Sequence, residues 1–110
     1  MEIEVHQRGG LLGMDRRYLV KDGTIEVIDG GQSRGAKALD PSQAARIHEL
    51  ATSAEKARVK SGNLPISDDL ETKVDIRRER RSRTLRLRSG DEAPPEVYDL
   101  IGEVSRASAD

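Results

Sequence analysis

The 110-residue sequence contains no cysteine, no phenylalanine and no tryptophan, and it has only two tyrosines and two histidines. Without cysteine the chain can form neither a disulfide bond nor a metal site with thiolate ligands. With so few aromatic residues, the core must be built from Leu, Ile, Val and Ala. Two histidines also leave few candidates for catalysis that depends on a His base. We therefore expect no cofactor, no metal site and no enzymatic activity.

Positive and negative charges nearly balance, because the chain has 19 Lys and Arg residues and 20 Asp and Glu residues. Hydrophobic and charged residues each make up 35% of the chain, which is typical of one small soluble domain. No apolar run is long enough to cross a membrane, and the first residues lack the basic and apolar segments of a signal peptide. We expect a single domain over residues 1–110 that is cytoplasmic and monomeric and has no membrane partner.

Alternating apolar residues predict three strands in the first part of the chain. Ile3 and Val5 alternate with polar residues in the first strand. Residues 16–20 and 24–27 flank Asp22-Gly23, a pair that favours a two-residue hairpin turn. That turn would set Val20 opposite Ile25 and Tyr18 opposite Val27, on one face of the sheet. Residues 30–35, which are polar and rich in glycine, are predicted to form a loop.

A second hairpin is predicted over residues 70–76 and 83–88, where apolar and charged residues again alternate. The predicted register sets Ile76 opposite Leu85 and Val74 opposite Leu87 on the inner face. On the outer face it sets Asp75 opposite Arg86.

Two helices are predicted from proline-containing starts at 40–43 and 94–95, each followed by one apolar stripe. The order is therefore βββαββα. Hairpin connections favour an α+β two-layer sandwich, with a mostly antiparallel sheet of about five strands and both helices on one face. The apolar stripes are Ala44, Ile47, Leu50, Ala51 and Ala54 in the first helix, and Val97, Leu100, Ile101 and Val104 in the second.

One helical segment begins like a zinc-binding motif but does not complete it. His48 and Glu49 match the first two positions of the His-Glu-x-x-His pattern of metallopeptidases. Thr52 stands where the second histidine is required, so the two ligands that such a helix must present on one face are not both available. The motif therefore does not indicate a metal site.

A glycine-rich segment with large apolar residues follows the first predicted strand. Hairpin turns are normally rich in Gly, Asn and Asp, and their other positions are polar because they face water. Here two leucines and a methionine stand in the turn. Either the turn folds back onto the edge of the core, or it is a surface that contacts a partner. The candidate partner-binding residues are Arg8, Gly9, Gly10, Leu11, Leu12, Gly13, Met14 and Asp15.

A second candidate surface is cationic. Seven of the twelve residues in 77–88 are arginine, and such a hairpin tip could bind phosphate groups or an acidic protein surface. The near-zero net charge and the lack of neighbouring aromatic residues argue against nucleic acid. A third interpretation is that the arginines only keep the domain soluble and its edge unpaired. The residues of this alternative basic patch are Arg77, Arg78, Arg80, Arg81 and Arg83.

The succession of these segments resembles the emfourin family, which are small protein inhibitors of bacterial protealysin-type, thermolysin-like zinc metallopeptidases. The resemblance covers nearly the whole chain in order. It rests on the strand and glycine-rich turn at 5–13, the helix start at 39–45, Asn-Leu-Pro at 63–65, the strand at 70–76, its basic partner at 83–88 and the helix start at 93–97.

The resemblance implies a protein without catalytic groups or cofactors whose partner is a thermolysin-like metallopeptidase. Peptidases of this class prefer large aliphatic or aromatic side chains just after the scissile bond. Leu11 and Leu12 could fill such a hydrophobic pocket, and the adjacent glycines would allow close approach of the backbone. We expect this turn, flanked by Arg8 and Asp15, to be the core of an inhibitory surface.

Overall fold

The structure is a computed structural model that describes residues 1–10, 13–60, 70–88 and 91–109. Its sheet has six strands, all paired antiparallel, in the spatial order β4-β3-β2-β1-β5-β6. Along the chain the order is ββββαββα, which confirms the predicted α+β class and adds one strand. The elements are β1 (Glu2–Gly9), β2 (Met14–Lys21), β3 (Thr24–Asp29), β4 (Gln32–Ala38), α1 (Pro41–Ala54), β5 (Leu70–Arg78), β6 (Arg81–Arg88) and α2 (Pro95–Ser108).

The additional strand is β4, and it corrects the prediction of a loop at 30–35. Gly30 and Gly31 have φ angles of +59° and +85°, and they form the two-residue turn between β3 and β4, a conformation that glycine adopts without strain. Every residue of β4 is exposed, because it is an edge strand that the helices do not cover. A strand without a buried face produces no alternation of apolar and polar residues, so its sequence resembles a loop.

The first predicted register is confirmed. Asp22 and Gly23 both have positive φ angles, +50° and +74°, as a type I′ turn requires. Val20 lies opposite Ile25 and Tyr18 lies opposite Val27.

The predicted register of the second hairpin is wrong by two residues. The turn consists of Glu79 and Arg80 alone, because Arg78 pairs with Arg81. Since side chains alternate with a period of two, this shift leaves the apolar residues on the inner face. The partners are Val74 with Leu85, Thr72 with Leu87, Ile76 with Arg83, and Asp75 with Thr84 in place of Arg86.

Contacts with the end of α1 accompany the observed register. Arg78 donates a hydrogen bond to the Glu55 carboxylate, and Arg83 donates one to the backbone carbonyl of Ala57. These are tertiary contacts between residues more than twenty positions apart, so the alternation of residues within the hairpin does not reveal them.

The core lies between one face of the sheet and the two helices. In its centre Val5 lies between Tyr18 and Val74, and Ile3 lies between Val20 and Ile76. The helices bury the predicted apolar stripes against this face, although Ala44 and Ile101 are only partly buried. The helical residues that are buried are Ile47, Leu50, Ala51 and Ala54 in α1, and Val97, Leu100, Val104 and Ala107 in α2.

Both helices begin as their prolines predict. Pro41 is the first residue of α1, and the Asp40 N–H donates to Gln43 Oε1 at 3.3 Å, which satisfies a donor that precedes the helix. Pro95 is the first residue of α2, where the missing N–H has no cost. Within the part of the chain that the structure describes, neither helix has the length and apolar character needed to cross a bilayer.

Candidate functional site

The end of the β1–β2 hairpin is closed by glycines in the left-handed region. Gly9 pairs with Met14 across the hairpin, and the Gly13 N–H donates to the Gly10 carbonyl at 3.2 Å. The φ angles of Gly9, Gly10 and Gly13 are +102°, +77° and +63°. Side chains with a Cβ rarely adopt these values, so the turn itself requires the glycines. The predicted contact residues Leu11 and Leu12 lie outside the described residues.

The base of the hairpin end is held by a side-chain hydrogen bond. His6 Nε2 and Asp15 Oδ1 are 2.7 Å apart, and His6 is buried to about nine-tenths whereas the Asp15 side chain is half-exposed. The hydrogen bond from His6, helped by the charges of His6, Arg17 and Arg8, holds the pKa of Asp15 below its usual value. The Asp15 carboxylate therefore stays ionised. Its hydrogen bond with His6 connects β2 to β1 next to the turn.

The other described residues of the predicted surface lie together around this base. Arg8 lies opposite Asp15, and both side chains are exposed, as is Met14 with 41% of its surface accessible. Gly10 lies next to Leu70, the first residue of β5, since a Cβ on Gly10 would be 3.9 Å from Leu70 Cβ. Six of the eight predicted residues are thus described, and they form one contiguous end of the two central strands.

The five arginines of the alternative basic patch do not lie on one surface. Arg78 and Arg81 flank the Glu55 carboxylate at the end of α1, where Arg78 Nε is 2.6 Å and Arg81 Nε is 3.6 Å from its oxygens. Arg83 Nη2 donates to the Ala57 carbonyl at 2.9 Å. These three arginines lie on the helix side of the sheet and fasten the hairpin to α1.

The remaining two arginines of that patch lie elsewhere. Arg77 lies on the opposite face of the sheet and donates to Glu4 at 3.1 Å, and Arg80 lies in the turn. The hydrogen bond from Arg78, together with the charges of Arg78 and Arg81, lowers the pKa of Glu55. The arginine-rich segment is therefore engaged mainly in contacts within the protein.

No family model, curated protein or solved structure matches this chain. The candidate site is therefore defined by its own geometry. Among the described residues no three His, Asp or Glu side chains converge in a way that could hold a metal ion.

The face of the sheet opposite the helices, which we call the open face, carries a row of basic side chains that the sequence pattern does not predict. The row consists of Arg17, His6, Lys73 and Arg86, contributed in turn by the neighbouring strands β2, β1, β5 and β6. Each residue is unremarkable within its own strand. The row appears only when β1 is known to pair with β5, and no hairpin turn predicts that pairing.

Proposed function

We propose that this protein inhibits a thermolysin-like zinc metallopeptidase of the protealysin type by placing the end of its β1–β2 hairpin in the active-site cleft. The observation that supports the proposal is the closed glycine turn at the end of the two central strands, with its base held by His6 and Asp15. The partner class comes from the resemblance to the emfourin family. We propose further that the protein acts in the cytoplasm.

The geometry of the hairpin end suits this role. An inhibitor that enters a cleft gains affinity when the residues that flank its contact segment are held in place before binding, because less conformational freedom is then lost. Glycines at 9, 10 and 13 leave the backbone accessible to a close partner. Leucines at 11 and 12 and the exposed Met14 provide apolar groups of the kind that fill hydrophobic pockets.

The test is a titration of a protealysin-type peptidase, of known active-site concentration, with this protein. Cleavage of a short peptide substrate is followed. We expect loss of activity that is complete at equimolar inhibitor. The absence of inhibition at concentrations far above that of the enzyme would contradict the proposal.

A double variant then tests the contact residues. Leu11→Ala with Leu12→Ala should weaken inhibition by at least about 30-fold, since apolar anchors of this kind contribute about 2 kcal/mol or more. The matched control is Leu19→Ala, which truncates a leucine on the open face of β2, opposite Glu4 and Glu26 and four residues along the strand from Asp15. Circular dichroism should show that both variants are folded. Equal inhibition by the double variant and the control would assign the binding surface to another part of the protein.

The arginine-rich hairpin is not proposed as a nucleic-acid site. Three of its arginines contact the end of α1 and the residues after it, namely Arg78, Arg81 and Arg83. Arg77 contacts Glu4 on the open face of the sheet. Cations that already have acidic or carbonyl partners contribute less to phosphate binding, because those partners must be replaced.

A further inference from the structure

The basic row on the open face brings four basic side chains together across four strands, and two permanent cations of the row, Lys73 and Arg86, lie directly opposite each other. His6 lies opposite Arg17 on one side and opposite Lys73 on the other, and Lys73 lies opposite Arg86. Neighbouring strands are about 4.8 Å apart, so the row extends over about 14 Å. Like charges directly opposite each other destabilise a sheet. This arrangement therefore has a cost that the fold alone does not explain.

The acids beside the row neutralise it only in part: the Asp15 carboxylate lies 2.7 Å from His6 Nε2, and the two acids nearest to the cations Arg17 and Lys73 are further away. Arg17 Nη1 is 3.8 Å from Glu4, and Lys73 Nζ is 3.7 Å from Asp75, both too long for direct hydrogen bonds. Within the described ranges, Arg86 has no acidic oxygen within 4.0 Å.

The same two acids make closer contacts outside the row. Glu4 accepts a hydrogen bond from Arg77 at 3.1 Å, and Asp75 accepts one from Thr84 at 2.5 Å. Arg77 Nη2 is also 3.5 Å from Asp75. Glu4 and Asp75 are therefore shared between the basic row and closer partners outside it.

A cleft of about 200 Å³ lies along this row. It contains four permanent cations and a single carboxylate, that of Glu71, which lies 3.7 Å from Arg88 Nε on its other side. Two of the cations are exposed arginines of the row, Arg17 and Arg86, whose planar guanidinium groups can each donate two parallel hydrogen bonds to an oxyanion. The lining residues are His6, Arg8, Arg17, Glu71, Lys73 and Arg86.

We propose that this cleft is a binding site for a phosphate-class anion, with a diphosphate group as the ligand that fits it best. A compact anion with several negative charges would lie between Lys73 and Arg86. The repulsion between these two cations would then be offset by the attraction of each cation to the anion. One carboxylate carries a single charge and cannot compensate both cations. The cleft shares His6 and Arg8 with the hairpin end, but Lys73 and Arg86, which the tests below replace, lie outside it on β5 and β6. The phosphate can belong to free diphosphate or to the backbone of a nucleic acid, and the chemistry of recognition is the same.

The first experiment is a calorimetric titration of the full chain with sodium diphosphate at low ionic strength. A parallel NMR titration follows the backbone amides of the strands in the row. We expect saturable binding and shifts centred on residues 17, 73 and 86. Binding that is not saturable at millimolar diphosphate, or shifts spread evenly over the surface, would overturn the proposal.

A pair of charge-matched variants separates the site from a general effect of charge. Lys73→Gln with Arg86→Gln removes two cations from the cleft, whereas Arg46→Gln with Arg80→Gln removes two exposed cations from α1 and the hairpin turn. We expect the first pair to weaken diphosphate binding at least tenfold and the second to leave it within twofold. An equal loss of diphosphate affinity in both double variants would show that binding depends only on net charge, and would refute the site.

Stability measurements give an independent readout. Diphosphate should raise the midpoint of thermal unfolding of the parent protein and of the Arg46/Arg80 variant, but not that of the Lys73/Arg86 variant. Without ligand, the Lys73/Arg86 variant should unfold at the same or a higher temperature than the parent, because the repulsion is removed. A large loss of stability in that variant would show that the row is a structural element and not a binding site.

A single-stranded oligonucleotide and a poly-glutamate peptide complete the test. Tighter binding of the oligonucleotide than of diphosphate, lost in the Lys73/Arg86 variant, would assign the phosphate to a nucleic acid. Binding of diphosphate alone would assign it to a small anion. Tighter binding of poly-glutamate than of either phosphate ligand would refute the phosphate class.

Discussion

Replacement of Glu55 by glutamine tests whether the contacts at the end of α1 hold the second hairpin in place. The Glu55 side chain is only 12% exposed, and its carboxylate accepts a hydrogen bond from Arg78 Nε at 2.6 Å. Arg81 Nε is 3.6 Å away. A hydrogen bond between charged groups contributes about 1.5–3 kcal/mol and a neutral one about 0.5–1.5 kcal/mol. Because the two arginines are partly or largely solvated, we expect Glu55→Gln to lower the free energy of unfolding by about 1 kcal/mol.

The dependence of this effect on pH is a second, independent test. The hydrogen bond from Arg78 lowers the pKa of Glu55 in the folded protein below the ordinary value of a glutamate. The stabilisation is therefore complete above the unfolded-state pKa and is lost as pH falls through the folded-state pKa. We expect the difference between the parent and Glu55→Gln to be full at pH 7 and to decrease once the pH falls below about 4.5.

Urea unfolding at pH 7 and at pH 3, followed by far-ultraviolet circular dichroism, measures both quantities. The control is Glu49→Gln, which makes the same change on an exposed position of α1. It should stay within about 0.5 kcal/mol of the parent. A Glu55→Gln variant as stable as this control at pH 7, or one whose deficit is unchanged at pH 3, would refute the role that we assign to the carboxylate.

Three further substitutions test other parts of the structure. Gly13→Ala places a Cβ in open space but at a φ of +63°, so we expect a loss of about 1 kcal/mol from backbone strain alone, measured by urea unfolding. Leu100→Ala empties a fully buried position in α2 and should cost about 2–5 kcal/mol in the same assay. Asp15→Asn should lower the thermal midpoint at pH 7, but not at a pH below the lowered pKa of Asp15, because the carboxylate that His6 contacts is then protonated in the parent.

Local turn chemistry explains which parts of the fold could be predicted from the sequence. Asp22-Gly23 specifies one turn type, and with it the register of β2 and β3. In the second hairpin no glycine or asparagine marks the turn, and alternation alone permits registers that differ by two residues. The choice among them lies in contacts of Arg78, Arg81 and Arg83 with the end of α1.

The candidate surfaces differ in the same way. The hairpin end could be located from its glycines, because a local backbone requirement selects that residue. The run of arginines suggested one patch, yet alternate residues of a strand point to opposite faces and so divide the run between two sides of the sheet. The basic row of the open face required the β1–β5 pairing, which joins residues about seventy positions apart.

That long-range pairing has a consequence for synthesis of the chain. β1 emerges from the ribosome first and can form a hairpin with β2 at once, but its other neighbour, β5, begins only at Leu70. Until then the hydrogen-bonding edge of β1 that β5 later covers stays unpaired, and free strand edges can associate with other chains. We expect the joining of β1 and β5 to be the slow step of folding, since it closes the longest loop in the sheet. Premature termination before residue 70 would leave a nascent protein that is prone to aggregate.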